Sequence, residues 1–127
     1  MGEQFVTVSN AGELEQLFAR SHREPVLLFK HSTTCPISAA AYQQMLGVER
    51  EASLVVVQKA RDLSREIETR TGVRHESPQA LILRDGAVVW SASHWNITAD
   101  AVTRALGEHA ESGAKSQEPK VRSQESE

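Results

Sequence analysis

The sequence predicts an α/β protein in which helices cover both faces of a central mixed β-sheet. Residues 26–29 and 54–57 are continuous apolar runs, a pattern typical of central strands that are buried on both sides. Segments with helical spacing separate these runs, as in the βαβ units of parallel strands. Residues 80–83 and 87–90 flank an Asp-Gly pair, which predicts an antiparallel hairpin at the end of the sheet.

The first two elements are a strand and a capped helix. Residues 5–8 are β-branched or aromatic, which favours a strand. Asn10 precedes Glu13 by three residues, which is the spacing of a capping box at a helix N-terminus. The apolar positions that follow are three and four residues apart and predict one buried helical face, made of Leu14, Leu17 and Phe18.

The second helix is predicted to begin shortly after the strand at residues 26–29. Thr33 or Thr34 is suited to cap this helix, and Pro36 is suited to its first turn because proline needs no hydrogen-bond partner there. The predicted apolar face and end of the helix are Ile37, Ala41, Met45 and Gly47.

Two further helices complete the predicted order β-α-β-α-β-α-β-β-α. One follows residues 54–57, begins at Asp62 and ends at Gly72, since glycine readily adopts the conformation of a C-terminal cap. The other begins after Thr98, whose hydroxyl is suited to an N-cap. The predicted inward faces of these two helices are Leu63, Ile67 and Thr71, and Ala101, Val102, Ala105 and Leu106.

Length and composition restrict the class of protein. A chain of 127 residues corresponds to one domain, which we assign to residues 1–110. Residues 111–127 are predicted to form a disordered polar tail, because they offer too little apolar surface to offset the entropy lost on ordering. A net charge of −3 and an aromatic content of 5% argue against nucleic-acid binding. No apolar stretch reaches the length of a membrane span or a secretory leader, so we expect a cytoplasmic protein without a membrane partner.

The single cysteine, Cys35, is the main candidate for chemistry. One cysteine excludes an internal disulfide and a CxxC redox pair. Cys35 lies between an apolar strand and a predicted helix start, where free N–H groups and the helix dipole favour the reactive thiolate. Lys30 and His31 are candidates for additional positive charge. The alternative is that Cys35 is a small buried residue, as many free cysteines are, and its position leaves both interpretations open.

Two later segments are further features to be considered with Cys35. Ser77-Pro78 precedes the strand at residues 80–83, where a proline is tolerated because no ladder donor is needed, and the sequence leaves its cis or trans state open. His94-Trp95-Asn96 is predicted to be a loop whose tryptophan covers the edge of the core.

The sequence predicts no metal site. His31 and Cys35 are four residues apart, and His75 and His94 lie in later loops. A two-histidine, one-cysteine site is chemically possible, but isolated loop histidines are more often plain surface residues.

The order of the elements together with Cys35 resembles the thioredoxin superfamily. In that superfamily a nucleophilic cysteine follows the first central strand and opens a helix, and a cis-proline loop faces it. Cys35-Pro36-Ile37-Ser38 aligns with the CxxC position, with Ser38 in place of the resolving cysteine, and Ser77-Pro78 aligns with the cis-proline loop. The resemblance implies a thioredoxin-like fold for residues 1–110.

Three segments resemble a particular branch of this superfamily, the monothiol bacilliredoxins with a TCPI motif. They are residues 29–38, 75–79 and 93–98, and the resemblance extends over about residues 4–107. The family implies that Cys35 attacks the bacillithiol sulfur of a protein–bacillithiol mixed disulfide. The client protein leaves as a free thiol, and a second low-molecular-weight thiol then regenerates Cys35. Bacillithiol is thereby a co-substrate, and no tightly bound cofactor is expected.

The resemblance also suggests which groups hold the anionic bacillithiol. The helix N-terminus, nearby hydrogen-bond donors and Lys30 are suited to an anion. The backbone beside Pro78 is suited to pair with the thiol or with an extended client segment, and Trp95 to cover the adduct. The expected thiol-binding residues are Lys30, Thr34, Pro36, Ser77, Pro78 and Trp95.

Two other functions remain open at this point. One is a glutaredoxin-like carrier in which Cys35 and an external thiol ligate an iron–sulfur cluster. Pro36 argues against this cluster-carrier function, because that family has a Gly-Phe-Ser stretch after the cysteine where this chain has proline. The other is a redox-inert thioredoxin-fold adaptor in which Cys35 is structural.

Overall fold

A five-stranded mixed sheet forms the centre of the computed structural model, which describes residues 4–109. The strand order is β1-β3-β2-β4-β5, with β1, β3 and β2 parallel and β4 and β5 antiparallel. The α/β class and the final hairpin are therefore confirmed, and the predicted tail at residues 111–127 lies outside the described residues. The strands are β1 Phe5–Thr7, β2 Val26–His31, β3 Ala52–Val56, β4 Gln79–Arg84 and β5 Ala87–Ser93.

Helices cover both faces of this sheet, as predicted. Alternate residues of β2 point to opposite faces, so that Phe29 lies in one buried cluster and Leu28 in the other. The first cluster includes Met45 of α2 and Leu106 of α4, and the second includes residues of α1 and α3. The helices are α1 Ala11–Arg20, α2 Pro36–Leu46, α3 Arg61–Thr71 and α4 Ala99–His109, with a short 3-10 helix at His94–Asn96.

The predicted helix signals at Asn10, Gly72 and Thr98 are present. The Asn10 side chain accepts a hydrogen bond from the Glu13 N–H at 2.9 Å, and Glu13 accepts one from the Ser9 N–H at 2.7 Å. Gly72 ends α3 at φ 74°, in the left-handed region that glycine adopts without a steric penalty. Thr98 accepts from the Ala101 N–H at 3.1 Å and so caps α4. Within residues 4–109, no helix combines the length and apolarity needed to cross a bilayer.

Local details of β2 and α2 differ from the sequence prediction, and several other element ends differ by one or two residues. Strand β2 continues through Lys30 and His31, because these residues still pair with Val55 and Val56 of β3. The strand was predicted to end before Lys30, where the apolar run at residues 26–29 stops. The backbone hydrogen bonds between strands do not depend on side-chain polarity, so the strand continues.

The second difference concerns α2. Its N-cap is Cys35 rather than Thr33 or Thr34, and no side chain caps it. Ser38 is fully buried, whereas Ile37 remains partly exposed. Ser38 can occupy this inward position because its hydroxyl accepts a hydrogen bond from the Ser32 N–H.

Candidate active site

Strand β2 and helix α2 place Cys35 at the start of a helix with its sulfur partly exposed. Cys35 has an extended backbone, φ −104° and ψ 124°, and Pro36 occupies the first turn of α2. The Cys35 pKa lies below its ordinary value, chiefly because the Ser38 N–H hydrogen-bonds to the sulfur, with smaller effects from the Ile37 N–H and the Ser38 hydroxyl. Partial burial opposes this shift. The free donors of the helix start therefore stabilise the thiolate, as the sequence predicted.

Ser38 stands where a dithiol enzyme has its second cysteine. Its residue is fully buried, and its hydroxyl accepts a hydrogen bond from the Ser32 N–H at 3.2 Å. The same hydroxyl also hydrogen-bonds to Cys35 and lowers its pKa. Ser38 thus joins the nucleophile to the loop that precedes it, and it has no sulfur with which to resolve an intermediate.

Gln58 is a site residue that the sequence reasoning missed. Its side-chain amide contacts three consecutive residues before Cys35: it donates to the Ser32 and Thr34 hydroxyls at 2.9 and 3.1 Å and accepts from the Thr33 N–H at 3.2 Å. A signal was available, because Gln58 follows a strand parallel to β2, and the carboxyl ends of parallel strands meet at one edge of a sheet.

Ser77 and Pro78 lie next to the segment that carries Trp95. The Ser77–Pro78 peptide bond is cis. The Pro78 carbonyl accepts a hydrogen bond from the His94 N–H at 3.0 Å, and the Glu76 carboxylate lies 3.2 Å from the His94 ring. The Ser77 hydroxyl is buried without a hydrogen-bond partner. The structure therefore brings the two predicted segments together.

Trp95 does not cover the core edge, and that prediction is wrong. Its side chain is 68% exposed, whereas Ile97 is buried and packs into the core beside α2. The indole lines a cavity of about 130 Å³ together with Ala40 and Ala41 of α2. A bulky aromatic group is thus presented to solvent beside the helix that Cys35 opens.

Lys30 lies away from this surface. The residue is fully buried, and its ammonium has no hydrogen-bond partner. Burial lowers its pKa to about 8, partly offset by the Glu68 carboxylate on α3. Lys30 also lowers the His75 pKa, though less than burial does. Lys30 points to the α3 side of the sheet and is buried there, so it does not present its charge to an anion at the surface, contrary to the sequence prediction.

His31 does not supply positive charge either. Its ring packs 5.2 Å from the Tyr42 ring and 5.7 Å from the Phe29 ring. Burial lowers its pKa below the ordinary histidine value, so the imidazole is mainly neutral at pH 7. The shift at Cys35 arises from hydrogen bonds rather than from a neighbouring cation.

The fold and the site define a thiol redox protein of the thioredoxin type. A solved structure described as an oxidoreductase with a thioredoxin fold is 35% identical, with a TM-score of 0.73 over 80% of this chain and 93% of that chain. Thioredoxin from Fasciola hepatica is 14% identical, with a TM-score of 0.64 over 82% of this chain and 98% of that chain. Spinach chloroplast thioredoxin f is 20% identical, with a TM-score of 0.61 over 85% and 97%.

The sequence profile of the family "Monothiol bacilliredoxin BrxC" matches residues 6–102. The chain belongs to this family. The family assignment agrees with the single cysteine and with the serine at the resolving position.

Proposed function

We propose that the protein removes bacillithiol from S-bacillithiolated client proteins in the cytoplasm. The observation that carries this proposal is the pairing of Cys35, whose thiolate is stabilised at a helix start, with Ser38 at the resolving position. A thiolate without an internal partner can exchange disulfides only with other molecules. Membership of the bacilliredoxin family supports bacillithiol as the thiol that is exchanged.

The reaction is a thiol–disulfide exchange in two steps. The Cys35 thiolate attacks the bacillithiol sulfur of the client mixed disulfide, the client–bacillithiol S–S bond breaks, and the client leaves as a thiolate. Cys35 then carries bacillithiol. A second low-molecular-weight thiol, as its thiolate, attacks the bacillithiol sulfur, forms a new disulfide with bacillithiol and restores the Cys35 thiolate.

The surface around Cys35 suits a small anionic thiol and an extended client segment. At the helix start, beside Thr34 and Pro36, the N–H groups of Ile37 and Ser38 are backbone donors suited to an anion. The backbone at Ser77 and Pro78 is proposed to pair with the bound thiol or client, and the exposed Trp95 indole to cover the adduct. Lys30 is left out of this surface, because its ammonium is buried on the α3 side of the sheet.

The test uses a purified client that carries one bacillithiol per molecule. The parent protein should release bacillithiol at a rate far above that of the client alone, whereas Cys35→Ser and Cys35→Ala should lose this rate while keeping the fold. If Cys35→Ser releases bacillithiol as fast as the parent, Cys35 is not the nucleophile. Parallel clients modified with glutathione and with coenzyme A identify the preferred thiol.

A further inference from the structure

The loop before Cys35 is held from two sides. Ser38 on α2 accepts from the Ser32 N–H, and the Gln58 amide after β3 hydrogen-bonds to Ser32, Thr33 and Thr34. Thr33 and Thr34 are exposed, so without these bonds their backbone would be free to move in solvent. The loop therefore depends on side chains from α2 and from the β3–α3 connection for its conformation.

We propose that Gln58 is a positioning residue for the Cys35 nucleophile. Glutamine is suited to this contact, because its amide donates two hydrogen bonds and accepts others from the same planar group. Here the NH₂ group serves two hydroxyls, and the carbonyl oxygen serves a backbone N–H. The inference rests on the proposed function only in taking Cys35 as the reacting group.

The effect of Gln58 reaches Cys35 through the chain and through Ser38. Ser32 accepts the Gln58 amide with its hydroxyl and donates to Ser38 with its N–H, so one residue joins both contacts. The Cys35 N–H also points to the Ser32 carbonyl, at 3.5 Å. A displaced Ser32 therefore moves Cys35 relative to the N–H groups of Ser38 and Ile37, which lower the pKa of the thiol. Misplacement of a reacting group by about 1 Å costs up to 100-fold in rate.

Gln58 also connects the nucleophile to a surface that the proposed chemistry does not use. It lines a cavity of about 510 Å³ between the starts of α1 and α3 and a neighbouring cavity of about 440 Å³ along α3. The connection from β3 to α3 is held to β2 by a hydrogen bond from the Val57 N–H to the His31 carbonyl at 2.9 Å. Gln58 thus directly follows a residue that is hydrogen-bonded to β2, so the sheet helps to fix its position.

The test is the pH dependence of Cys35 alkylation by iodoacetamide, which reports the thiolate without any bacillithiol. Gln58→Met keeps the length of the side chain and removes all three bonds. We expect its alkylation rate at pH 7 to fall by about three- to tenfold, with the midpoint of the pH profile moved upward. Gln16→Met, the same change at an exposed position of α1, should match the parent.

Gln58→Glu separates hydrogen bonding from charge. Its carboxylate can still accept from the Thr33 N–H and from both hydroxyls, so the loop should hold, while the negative charge disfavours the thiolate. The pH midpoint should rise and return towards the parent value in 0.5 M NaCl, because salt screens exposed charges. The midpoint of Gln58→Met should not respond to salt. A salt-independent rise in Gln58→Glu would contradict the assigned contacts.

A mutant cycle tests the contacts from the other side. The pair Ser32→Ala with Thr34→Val removes two of the three partners of Gln58 and should reproduce most of the Gln58→Met effect. Adding Gln58→Met to that pair should then change the profile by less than twofold. Full additivity, or a parent-like profile in Gln58→Met, would overturn the proposal. If Gln58→Met shifts the alkylation profile but the parent protein does not release bacillithiol from the client, the proposed function is rejected and the role of Gln58 stands.

Discussion

At the scale of single residues, the site is built to ionise one sulfur and to leave it without a partner. The thiolate of Cys35 is stabilised by two backbone N–H groups of α2 and by the Ser38 hydroxyl. Neither of the two basic side chains before it, Lys30 and His31, contributes to the shift. Nucleophilicity here is a property of the helix start and of the serine that replaces a resolving cysteine.

The Ser38 hydroxyl gives the first prediction. Ser38→Ala removes its hydrogen bonds to the Ser32 N–H and to the sulfur, so the Cys35 pKa should rise and alkylation at pH 7 should slow by about two- to fivefold. Backbone donors still act on the sulfur, so reactivity should not vanish. The measurement is the iodoacetamide pH profile, with Ser53→Ala, at a buried serine of β3, as the control. An unchanged profile would show that Ser38 only fills space.

Lys30 gives a prediction about stability. Its pKa is 10.5 when unfolded and about 8 when folded, so below pH 8 folding buries a charged ammonium at a cost of about 3 kcal/mol. Between pH 8 and 10.5 the unfolded chain binds the proton that the folded protein releases, so this penalty disappears as the pH rises. Lys30→Met should therefore stabilise the protein at pH 7 and confer little benefit above pH 10.5.

Urea unfolding of the parent and of Lys30→Met at pH 7, 9 and 10.5 measures this difference. Lys59→Met, which removes an exposed lysine, should change the free energy of unfolding by less than about 0.5 kcal/mol at each pH. A gain in Lys30→Met that stays constant with pH would contradict the assigned titration.

At the level of single elements, local residues determine where α1 begins, where α3 ends and where α4 begins. The Asn10 cap of α1 is present, with Glu13 accepting from the neighbouring Ser9 N–H, and Asn10→Ala should lower the free energy of unfolding by about 1 kcal/mol. Asn10→Asp keeps an acceptor beside the positive end of the helix and should remain close to the parent. Chemical denaturation measures both variants, and an equal loss in Asn10→Asp would mean that the cap is not the cause.

The elements also show where sequence reasoning fails. The caps at Asn10 and Thr98 and the hairpin turn were predictable because they depend on neighbouring residues, and the central strands because their apolar runs are unbroken. The inward placement of Lys30 and Ser38 was not, because a polar side chain interrupts the apolar pattern from which a buried face is predicted. Gln58 was missed for another reason, since its contacts join residues 24 to 26 positions apart.

At the scale of the whole molecule, the sheet brings together segments that are distant in sequence. The connection after β3 holds the loop before Cys35 through Gln58, and the segments on either side of the hairpin, which carry Pro78 and Trp95, are joined to each other. Ile97, rather than Trp95, is buried in the core. The apolar runs, the helical spacing and the turn residues predicted the class and the order of elements but not this packing.

The extent of the domain gives a further prediction. Residues 111–127 are polar and contribute no predicted element, so a chain that ends at residue 110 should unfold at the same temperature as the full chain. Its rate of bacillithiol release should also be unchanged. Thermal unfolding and the release assay check these two properties, and a clear loss in either would assign a role to the tail.

The proposed function requires that Cys35 take bacillithiol from the client and hold it without a second protein sulfur. The most direct measurement is the intact mass of both proteins after the parent is mixed with an equimolar S-bacillithiolated client and no second thiol. We expect the client to lose one bacillithiol while the protein gains one, at Cys35, and Cys35→Ser to gain none. Release from the client without an adduct on Cys35, or no transfer at all, would contradict the proposed function.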